Sequence, residues 1–483
     1  MRTSIAAKGR PLLAGLALTV SAPTAPGAQP AEPSHEQRPS AAPGLVYEPY
    51  ASRPGDREIS RADYARRFEG FWLAQCIANW TGLLTEMDKI GGDGLEGRGA
   101  GFYTRDDWGG PDQPNIWGGG PGDPTRRIDF VFRDPGEVWG ADDDTDIEYI
   151  YLHLMLANRT SRLTGEQIRD GWLAHIWSDE NTPHRSGDGR PENFLWVSNQ
   201  RALDLMLQGR SPPETSDPAL NPDYEMIDAQ LTTEIFGLFA PARPDVALEI
   251  AHLPIRTTAR REAAWIAEFY VIMHSLASSV DPDLPLKDAT RWLAAQARRR
   301  LPDASYSAKM YDFVLEQHAA GRTWEEARDA LHERYQVGQA DGYDWPTREP
   351  VCEGCFAAGI NFGASIVSLL YGEGDLLETI RIGALSGWDS DNPTATWGGL
   401  LGFMLGADGV EKAFGRKFAD RFDIHRTRRG FGEDGIDTFP RIAEKGVHVV
   451  DRVVQERTGG GVSLEKDVWY VPGPEPEIPV ASE

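Results

Sequence analysis

A dense acidic run lies about 30% of the way along the chain. Its carboxylates fall within five positions and are Asp142, Asp143, Asp144 and Asp146. Residues 147–154 then place apolar side chains at helical spacing, which predicts a helix that begins at the acidic run. Two carboxylates about 4 Å apart repel by roughly 4 kcal/mol at an effective dielectric of 20, so they must face water, take up protons or bind a cation. The plain alternative is a solvated acidic helix start, which the helix dipole favours.

A second acidic stretch, residues 387–392, reads Gly-Trp-Asp-Ser-Asp-Asn and also precedes a helix-compatible run. Asp389, Asp391 and Asn392 offer side-chain oxygens, the ligands that hard cations prefer. Small residues between 394 and 402 would let the following helix approach its neighbours closely. Two acidic helix starts that face each other across a bundle would hold one or two Mg²⁺ or Mn²⁺ ions, as in two-metal hydrolases.

These stretches resemble two motifs of the ADP-ribosylglycohydrolase family, which includes the dinitrogenase reductase-activating glycohydrolases. Residues 142–145 resemble the family's Thr/Ser-Asp-Asp-Thr motif, and residues 387–392 resemble its Gly-Gly-Asp-Thr-Asp-Thr motif. The string from residue 70, GFWLAQCIANWTGLLTE, resembles the family's opening helix. Its matching positions are Gly70, Ile77, Gly82 and Glu86. Because the motifs follow the family's order over most of the chain, the resemblance is specific.

The chain also departs from the family pattern. Ala78 and Asn79 stand where a Gly-Asp pair is usual. Asp142 replaces a Thr or Ser and adds a charge, whereas Asn392 replaces a Thr and keeps an oxygen ligand. Neither ligand substitution abolishes a hard-metal site, so we expect only metal number and affinity to differ from the family.

The resemblance implies roles for particular residues. The implied metal ligands are Asp142, Asp143 and Asp144 from the first stretch, with Asp389, Asp391 and Asn392 from the second, and the implied cofactor is two Mg²⁺ or Mn²⁺ ions. The implied catalytic residues are Glu86, Asp143 and Asp391. Glu86 would position or deprotonate the nucleophile, and its alternative role is an ordinary surface carboxylate. The implied substrate-binding residues are Asp228, Gln230 and Asn361.

Residues 91–140 are rich in Gly, Pro and Trp and show little periodicity. A structureless stretch of this length inside a domain is usually a functional loop or lid. Trp108 and Trp117 would stack there on a sugar or a nucleobase, and we therefore include Trp117 among the substrate-binding residues. The alternative is packing within the loop itself.

Helical periodicity predominates elsewhere, and strand-period alternation is scarce. The sequence thus predicts an all-α fold, a single large orthogonal helical bundle, and the resemblance implies the same fold. We place the catalytic domain at residues 58–457 and predict a loose tail over residues 458–483.

Residues 1–28 combine a basic start, a short apolar core and small residues, which predicts a secretory signal peptide. The alternative is a disordered tail. Residues 29–57 are predicted to be a linker rich in Pro, Ala and Ser. We therefore expect a secreted or periplasmic protein with no membrane span after signal removal, because no later segment is long and apolar enough.

The 483-residue chain carries a formal charge of −25, which argues against a nucleic-acid polymer as partner. We expect a monomer. Cys352 and Cys355 form a C-x-x-C pair that is either a local disulfide or a plain thiol pair, since the further ligands of a zinc site are missing. Cys76 lies in an apolar helical segment, where we expect it to pack in the core.

These features predict an exported, metal-dependent glycohydrolase. It would cleave an N- or O-glycosidic bond of a small-molecule or protein-linked ADP-ribosyl or related sugar substrate. One alternative is a metal-binding domain that binds ADP-ribose or carbohydrate without turnover. A second is a Ca²⁺-stabilised structural domain whose acidic stretches only hold the fold together.

Overall fold

Helices account for most of the structure. The computed structural model describes residues 38–93, 99–112, 127–185, 189–281, 283–349, 352–424, 427–432, 435–473 and 477–482. The helices are α1 (Arg61–Gly82), α2 (Asp143–Ala157), α3 (Gly165–His175), α4 (Val197–Leu207), α5 (Asp228–Thr232), α6 (Ile235–Phe239), α7 (Pro244–Ile255), α8 (Arg261–Ala277), α9 (Leu286–Arg298), α10 (Tyr306–Ala319), α11 (Trp324–Leu331), α12 (Trp345–Arg348), α13 (Ala358–Gly372), α14 (Leu376–Leu385), α15 (Asp391–Phe414) and α16 (Phe439–Arg457). The strands are β1 (Arg57–Ser60), β2 (Trp139–Gly140), β3 (Arg421–Asp423), β4 (Ile436–Thr438), β5 (Gly461–Ser463) and β6 (Val468–Val471).

The prediction of an all-α bundle is confirmed. The strands are short and, within the described ranges, form two small sheets in the orders β1-β6-β5 and β2-β3-β4. The described residues all fall in one compact unit, Arg38–Glu483. In the same part of the chain, no helix is both long and apolar enough to cross a membrane.

The long helices α1 and α15 form the centre of the bundle and run antiparallel. Glycines let their backbones approach closely, because a side chain would not fit between them. A Cβ added at Gly70 would lie 2.7 Å from Cα of Gly406, near the end of α15. A Cβ added at Gly82 would lie 2.7 Å from the backbone N of Asp391, at the start of α15. The end of α1 therefore abuts the second acidic stretch.

Local capping fixes the start of α2 within the first acidic run. Asp142 is the N-cap, with extended backbone, and its N–H donates to the hydroxyl of Thr145 at 3.1 Å. The Thr145 hydroxyl in turn donates to the carbonyl oxygen of Asp142 at 3.0 Å, so the two residues fix each other at the start of the helix. The following aspartates thus occupy the first turn of α2, where the helix dipole favours negative charge.

The C-terminal segment differs from the loose tail that we predicted over residues 458–483. Strand β6 pairs with β1 in antiparallel register, with Arg57 opposite Val471. Trp469 is fully buried, and its Nε1 donates to Oδ1 of Asp451 at 2.7 Å. Strands of three or four residues are too short to show the alternation by which a sequence indicates a strand.

The N-terminal boundary also differs, because residues 38–57 pack onto the fold rather than acting as a linker. The buried guanidinium of Arg61 donates to the carbonyl oxygens of Pro39 at 3.1 Å and Ser40 at 2.8 Å. It also forms ion pairs with Asp451 at 2.9 Å and Asp467 at 2.8 Å. A buried Arg needs such acceptors, and the N-terminal backbone supplies two of them.

Cysteine chemistry is settled by the structure. Cys352 and Cys355 are joined by a disulfide bond, so the first of the two alternatives holds. Cys76 is a free thiol fully buried in α1, where it packs in the core as expected.

Candidate metal centre

The starts of α2 and α15 meet beside the last turn of α1. The side-chain Nδ2 of Asn79 donates to Oδ2 of Asp142 at 3.0 Å and to Oδ2 of Asp391 at 3.4 Å. One amide therefore contacts a carboxylate from each acidic stretch. From the sequence, Asn79 is only a departure from the family's Gly-Asp pair, and no role is predicted for it.

Two sets of carboxylates converge at this place. One oxygen each from Asp142, Asp144 and Asp391 lie within 4.8 Å of one another, and the same holds for Glu86, Asp389 and Asp391. Asp391 belongs to both sets. Apart from Asp142, which is partly exposed, these side chains are at most 6% exposed. The arrangement thus concentrates negative charge where little water can screen it.

Burial and mutual repulsion raise the pKa values of Asp144, Asp389 and Asp391. Burial raises the pKa of Asp389 to about 6. The pKa of Asp391 lies well above its usual range because of burial and then of the charges on Glu86 and Asp144. Burial, followed by the charge on Asp142, does the same to Asp144. Ionising these carboxyls therefore costs free energy unless a cation binds beside them.

The donor set fits a hard divalent cation. The converging atoms are carboxylate oxygens, which suit Mg²⁺ and Mn²⁺. In addition, Oδ1 of Asp391 is buried and has no hydrogen-bond partner among the described residues. A cation would offset the repulsion that raises the pKa values of Asp144, Asp389 and Asp391.

Asp143, which we predicted to be a catalytic residue and a metal ligand, belongs to neither converging set. It is the first residue of α2 and is partly exposed. Burial and the charges of Asp142 and Asp144 nevertheless raise the pKa of its carboxyl well above the usual range. The structure thus places Asp143 beside the centre while its neighbours on either side converge with Asp391.

Asn392, the other predicted ligand of the second stretch, links two segments through its amide. Its Oδ1 accepts a hydrogen bond from Nε2 of Gln230 at 3.0 Å, and its Nδ2 donates to Oδ1 of Asp144 at 3.3 Å. Gln230, predicted to bind substrate, is therefore brought to the centre. Its Oε1 is buried without a hydrogen-bond partner within the described ranges.

Asp228, also a predicted substrate-binding residue, is buried at the start of α5. It accepts hydrogen bonds from the Ser198 hydroxyl at 2.5 Å and from the backbone N–H of Asn199 at 2.8 Å. Burial raises the pKa of Asp228 to about 6, and its charge acts on Asp389. The structure thus joins Asp228 to the start of α4 and places it near the acidic centre.

Asn361 holds the backbone of the second acidic stretch. Its Oδ1 accepts from the backbone N–H of Asp389 at 3.1 Å. Its Nδ2 donates to the carbonyl oxygens of Cys355 at 2.8 Å and Ala357 at 3.0 Å. The amide of Asn361, which we predicted to bind substrate, thus contacts backbone groups, one of which belongs to a cysteine of the disulfide.

The predicted stacking residue Trp117 lies outside the described residues. Trp108, in the same Trp-rich stretch, packs edge to face against Phe130 with ring centroids 4.9 Å apart. The guanidinium of Arg381 lies 5.2 Å from the Trp108 ring centroid. Trp108 thus packs within the protein, which was the alternative to ligand stacking.

A buried pair of glutamates near the centre was not predicted as a unit. Glu148 accepts from Nε2 of Gln75 at 2.8 Å and from the backbone N–H of Ile235 at 3.0 Å. Glu234 accepts from the Thr396 hydroxyl at 3.0 Å. Burial raises the pKa of Glu234 to about 8, and burial with the Glu234 charge raises the pKa of Glu148 well above its usual range. The available signal was spacing, because Glu148 follows Asp144 by one helical turn.

The fourth aspartate of the acidic run is paired with a cation of the protein. Oδ2 of Asp146 lies 3.0 Å from Nη2 of Arg428 and accepts from the Thr427 hydroxyl at 2.8 Å. Both Asp146 and Arg428 are fully buried. Asp146 therefore orients the segment around residue 428 and takes no part in either converging set.

Comparisons with known proteins identify the family of the chain. A family model described as ADP-ribosylglycohydrolase matches residues 60–443, which include both acidic stretches and Glu86. Among solved structures, the chain is similar to a protein described as an "ADP-ribosylglycohydrolase-related protein complex", with 16% identity and a TM-score of 0.41 over 81% of this chain and 98% of that chain. The search of curated proteins found no match.

Proposed function

Because the chain belongs to the ADP-ribosylglycohydrolase family, we propose that it is a metal-dependent hydrolase that cleaves an N- or O-glycosidic bond of an ADP-ribosyl or related sugar substrate. The observation that carries the proposal is the convergence of Glu86, Asp389 and Asp391 with Asp142 and Asp144. If the acidic stretches only capped helix starts, carboxylates from near the starts of α2 and α15 and the end of α1 would not need to converge.

We also propose where the protein acts and what kind of substrate it meets. The basic and apolar residues of the first 28 positions support export to the periplasm or the medium. The substrate is then a small molecule or a protein-linked ADP-ribosyl or sugar group outside the cytoplasm. The charge of −25 supports the exclusion of nucleic-acid polymers. We also propose that the protein acts as a monomer.

The two converging sets support a proposal for the metal ligands. Asp142, Asp144 and Asp391 would hold one Mg²⁺ or Mn²⁺ ion, and Glu86, Asp389 and Asp391 would hold or flank a second. Such ions supply Lewis-acid polarisation at the reacting centre and orient the ribose hydroxyls. Asn392, fixed between Gln230 and Asp144, positions the first set against the second.

The remaining work falls to side chains of the protein. Glu86 is 6% exposed beside Asp389 and Asp391 and would position the attacking water and take up its proton. The surrounding carboxylates stabilise the positive charge that develops at the anomeric carbon as the leaving group departs. Burial strengthens this electrostatic contribution because water is largely excluded.

Turnover by the purified mature protein, without the predicted signal peptide, tests the proposal. Candidate substrates are ADP-ribosyl-arginine, ADP-ribosyl-serine, nucleosides and simple aryl glycosides, each assayed with Mg²⁺, Mn²⁺ or EDTA. We expect metal-dependent release of ADP-ribose or a free sugar. Glu86→Gln should lower kcat by about 10²-fold or more, the usual worth of a general base.

Glu316→Gln is the matched control, because Glu316 is exposed on α10. It should leave turnover unchanged. Metal binding without turnover on any of these substrates would favour the alternative of a binding domain. Absence of any effect of metal on activity or melting temperature would contradict the metal-dependent proposal itself.

A further inference from the structure

The side chain of Asn79 connects the two acidic stretches of the centre. It is fully buried in α1, whereas the two carboxylates that its Nδ2 contacts come from the starts of α2 and α15. Those carboxylates belong to Asp142 and Asp391, and both residues are members of the first converging set.

A neutral amide has two opposing effects at such a place. Its N–H groups donate charge-assisted hydrogen bonds to both carboxylates, which reduces their mutual repulsion and fixes their spacing. It adds no negative charge, however, so it attracts a cation less than a carboxylate at the same position would. The family's usual residue here is an aspartate. Its carboxylate would attract a cation more strongly but could not donate hydrogen bonds to the two carboxylates.

The second atom of the amide also matters. Oδ1 of Asn79 is buried and has no hydrogen-bond partner in the described part of the chain. Burying an unpaired amide oxygen is costly unless something at the site compensates for it. The two charge-assisted hydrogen bonds donated by Nδ2 stabilise Asn79 in this position despite that cost.

We infer that Asn79 is a positioning residue of the metal centre: its amide joins the two acidic stretches before a cation binds, and it keeps cation affinity below the value that a carboxylate would give. This inference rests on the proposed function, because it assumes that the centre binds a divalent cation. It concerns how tightly the cation is held and what keeps the metal-free centre assembled.

Two substitutions separate this role from simple packing. Asn79→Asp removes the donor and adds a charge, so the metal-free protein should melt at least about 2 °C lower while Mn²⁺ binds about tenfold more tightly. Asn79→Ala also removes the donor but adds no charge. It should lower the metal-free melting temperature too, and it should weaken Mn²⁺ binding about tenfold because the two stretches are no longer pre-positioned.

The measurements are calorimetric titration with MnCl₂ or MgCl₂ and thermal melting in EDTA, on the full chain without substrate. Asn181→Asp is the matched control, since Asn181 is exposed and the chemical change is the same. It should alter neither the Kd nor the melting temperature.

The outcomes distinguish the two proposals. If the wild-type protein gives no heat of binding with either metal, the proposed metal-dependent function fails. If the wild type binds metal but the two Asn79 variants shift the Kd in the same direction, or leave it unchanged, only the present inference is overturned. If Asn79→Asp folds only with metal present, Asn79→Ala decides: weaker binding supports the positioning role, and an unchanged Kd overturns it.

Discussion

Asn392 donates from its side-chain Nδ2 to Oδ1 of Asp144 at 3.3 Å, across a separation of 248 positions in the chain. The same amide accepts a hydrogen bond from Gln230. The start of α15 is therefore attached to the start of α2 and to α5 by one side chain. Because the two acidic stretches are fixed to each other in this way, a change in one should alter the cation affinity of the other.

Asp391→Asn should raise the melting temperature of the metal-free protein and abolish turnover. Asp391 is shared by both carboxylate sets and is buried among like charges, so removal of its charge relieves repulsion. Mg²⁺ affinity should fall about tenfold or more, because a shared ligand loses its charge. Thermal melting in EDTA and in MgCl₂, together with the substrate assay, measures all three effects.

The control for this substitution is Asp303→Asn, which removes a carboxylate that is 95% exposed. It should change none of the three quantities by a measurable amount. A lower melting temperature for Asp391→Asn in EDTA, with an unchanged response to Mg²⁺, would favour a purely structural role for the acidic stretches.

The starts of the two key helices were predictable because their signals are local. An acidic run followed by helical apolar spacing predicts the start of α2, and the structure begins that helix at Asp143. The second stretch likewise predicts that a helix follows it, and the structure begins α15 at Asp391. The meeting of the two stretches followed from the family resemblance and from the need of clustered carboxylates for a cation.

Which of three consecutive aspartates points inward was not predictable. Successive residues of a helix are about 100° apart around its axis, so the inward set depends on where the helix begins and how it is rotated. The structure brings Asp142 and Asp144 to the centre and leaves Asp143 partly exposed. The contacts of Asn79 and Asn361 depend in the same way on packing between segments distant in sequence.

Glu234→Gln should change how stability depends on pH. Burial raises the pKa of Glu234 to about 8 in the folded protein, from the ordinary glutamate value of 4.5. Between those pH values the folded protein keeps a proton that the unfolded chain releases, so stability falls as pH rises. For the wild type the loss is on the order of 4 kcal/mol by pH 9, and a neutral glutamine avoids it.

Melting of the metal-free proteins from pH 5 to pH 9 tests this prediction. Glu234→Gln should melt close to the wild type at pH 5 and clearly higher at pH 9. The Thr396 hydroxyl can still donate to the glutamine side-chain oxygen, so the hydrogen bond is preserved. A difference between variant and wild type that stays constant across this pH range would contradict the raised pKa.

Opening the Cys352–Cys355 disulfide should weaken cation binding. The carbonyl of Cys355 accepts from Asn361, and Asn361 in turn accepts from the backbone N–H of Asp389. Replacing both cysteines by serine frees the Cys355 backbone, so Asp389 should be held less firmly. We expect the Kd for Mg²⁺ to rise by roughly threefold. The corresponding change in binding free energy is no larger than the net contribution of one hydrogen bond.

Treatment with a reducing agent provides the control for the disulfide. It should weaken Mg²⁺ binding by the wild type to the level of the double serine variant and leave the variant itself unaffected. Equal Kd values for the oxidised wild type and the double variant would show that Asn361 holds Asp389 without help from the disulfide.

Gly82→Ala should impair both stability and cation binding, whereas Gly70→Ala should impair stability alone. Both glycines lie on the face of α1 that packs against α15. A Cβ at Gly82 would lie 2.7 Å from the backbone N of Asp391, so the second acidic stretch must move. A Cβ at Gly70 would lie 2.6 Å from the carbonyl carbon of Gly406, far along α15 from the centre. Overpacking at either place costs about 1–3 kcal/mol.

The two variants therefore form a matched pair. Both should lower the melting temperature in EDTA by similar amounts, because each forces α1 and α15 apart. Only Gly82→Ala should also reduce the further rise in melting temperature that saturating Mg²⁺ produces, since only there is a member of both carboxylate sets displaced. Similar responses of the two variants to Mg²⁺ would mean that the position of Asp391 does not limit cation binding.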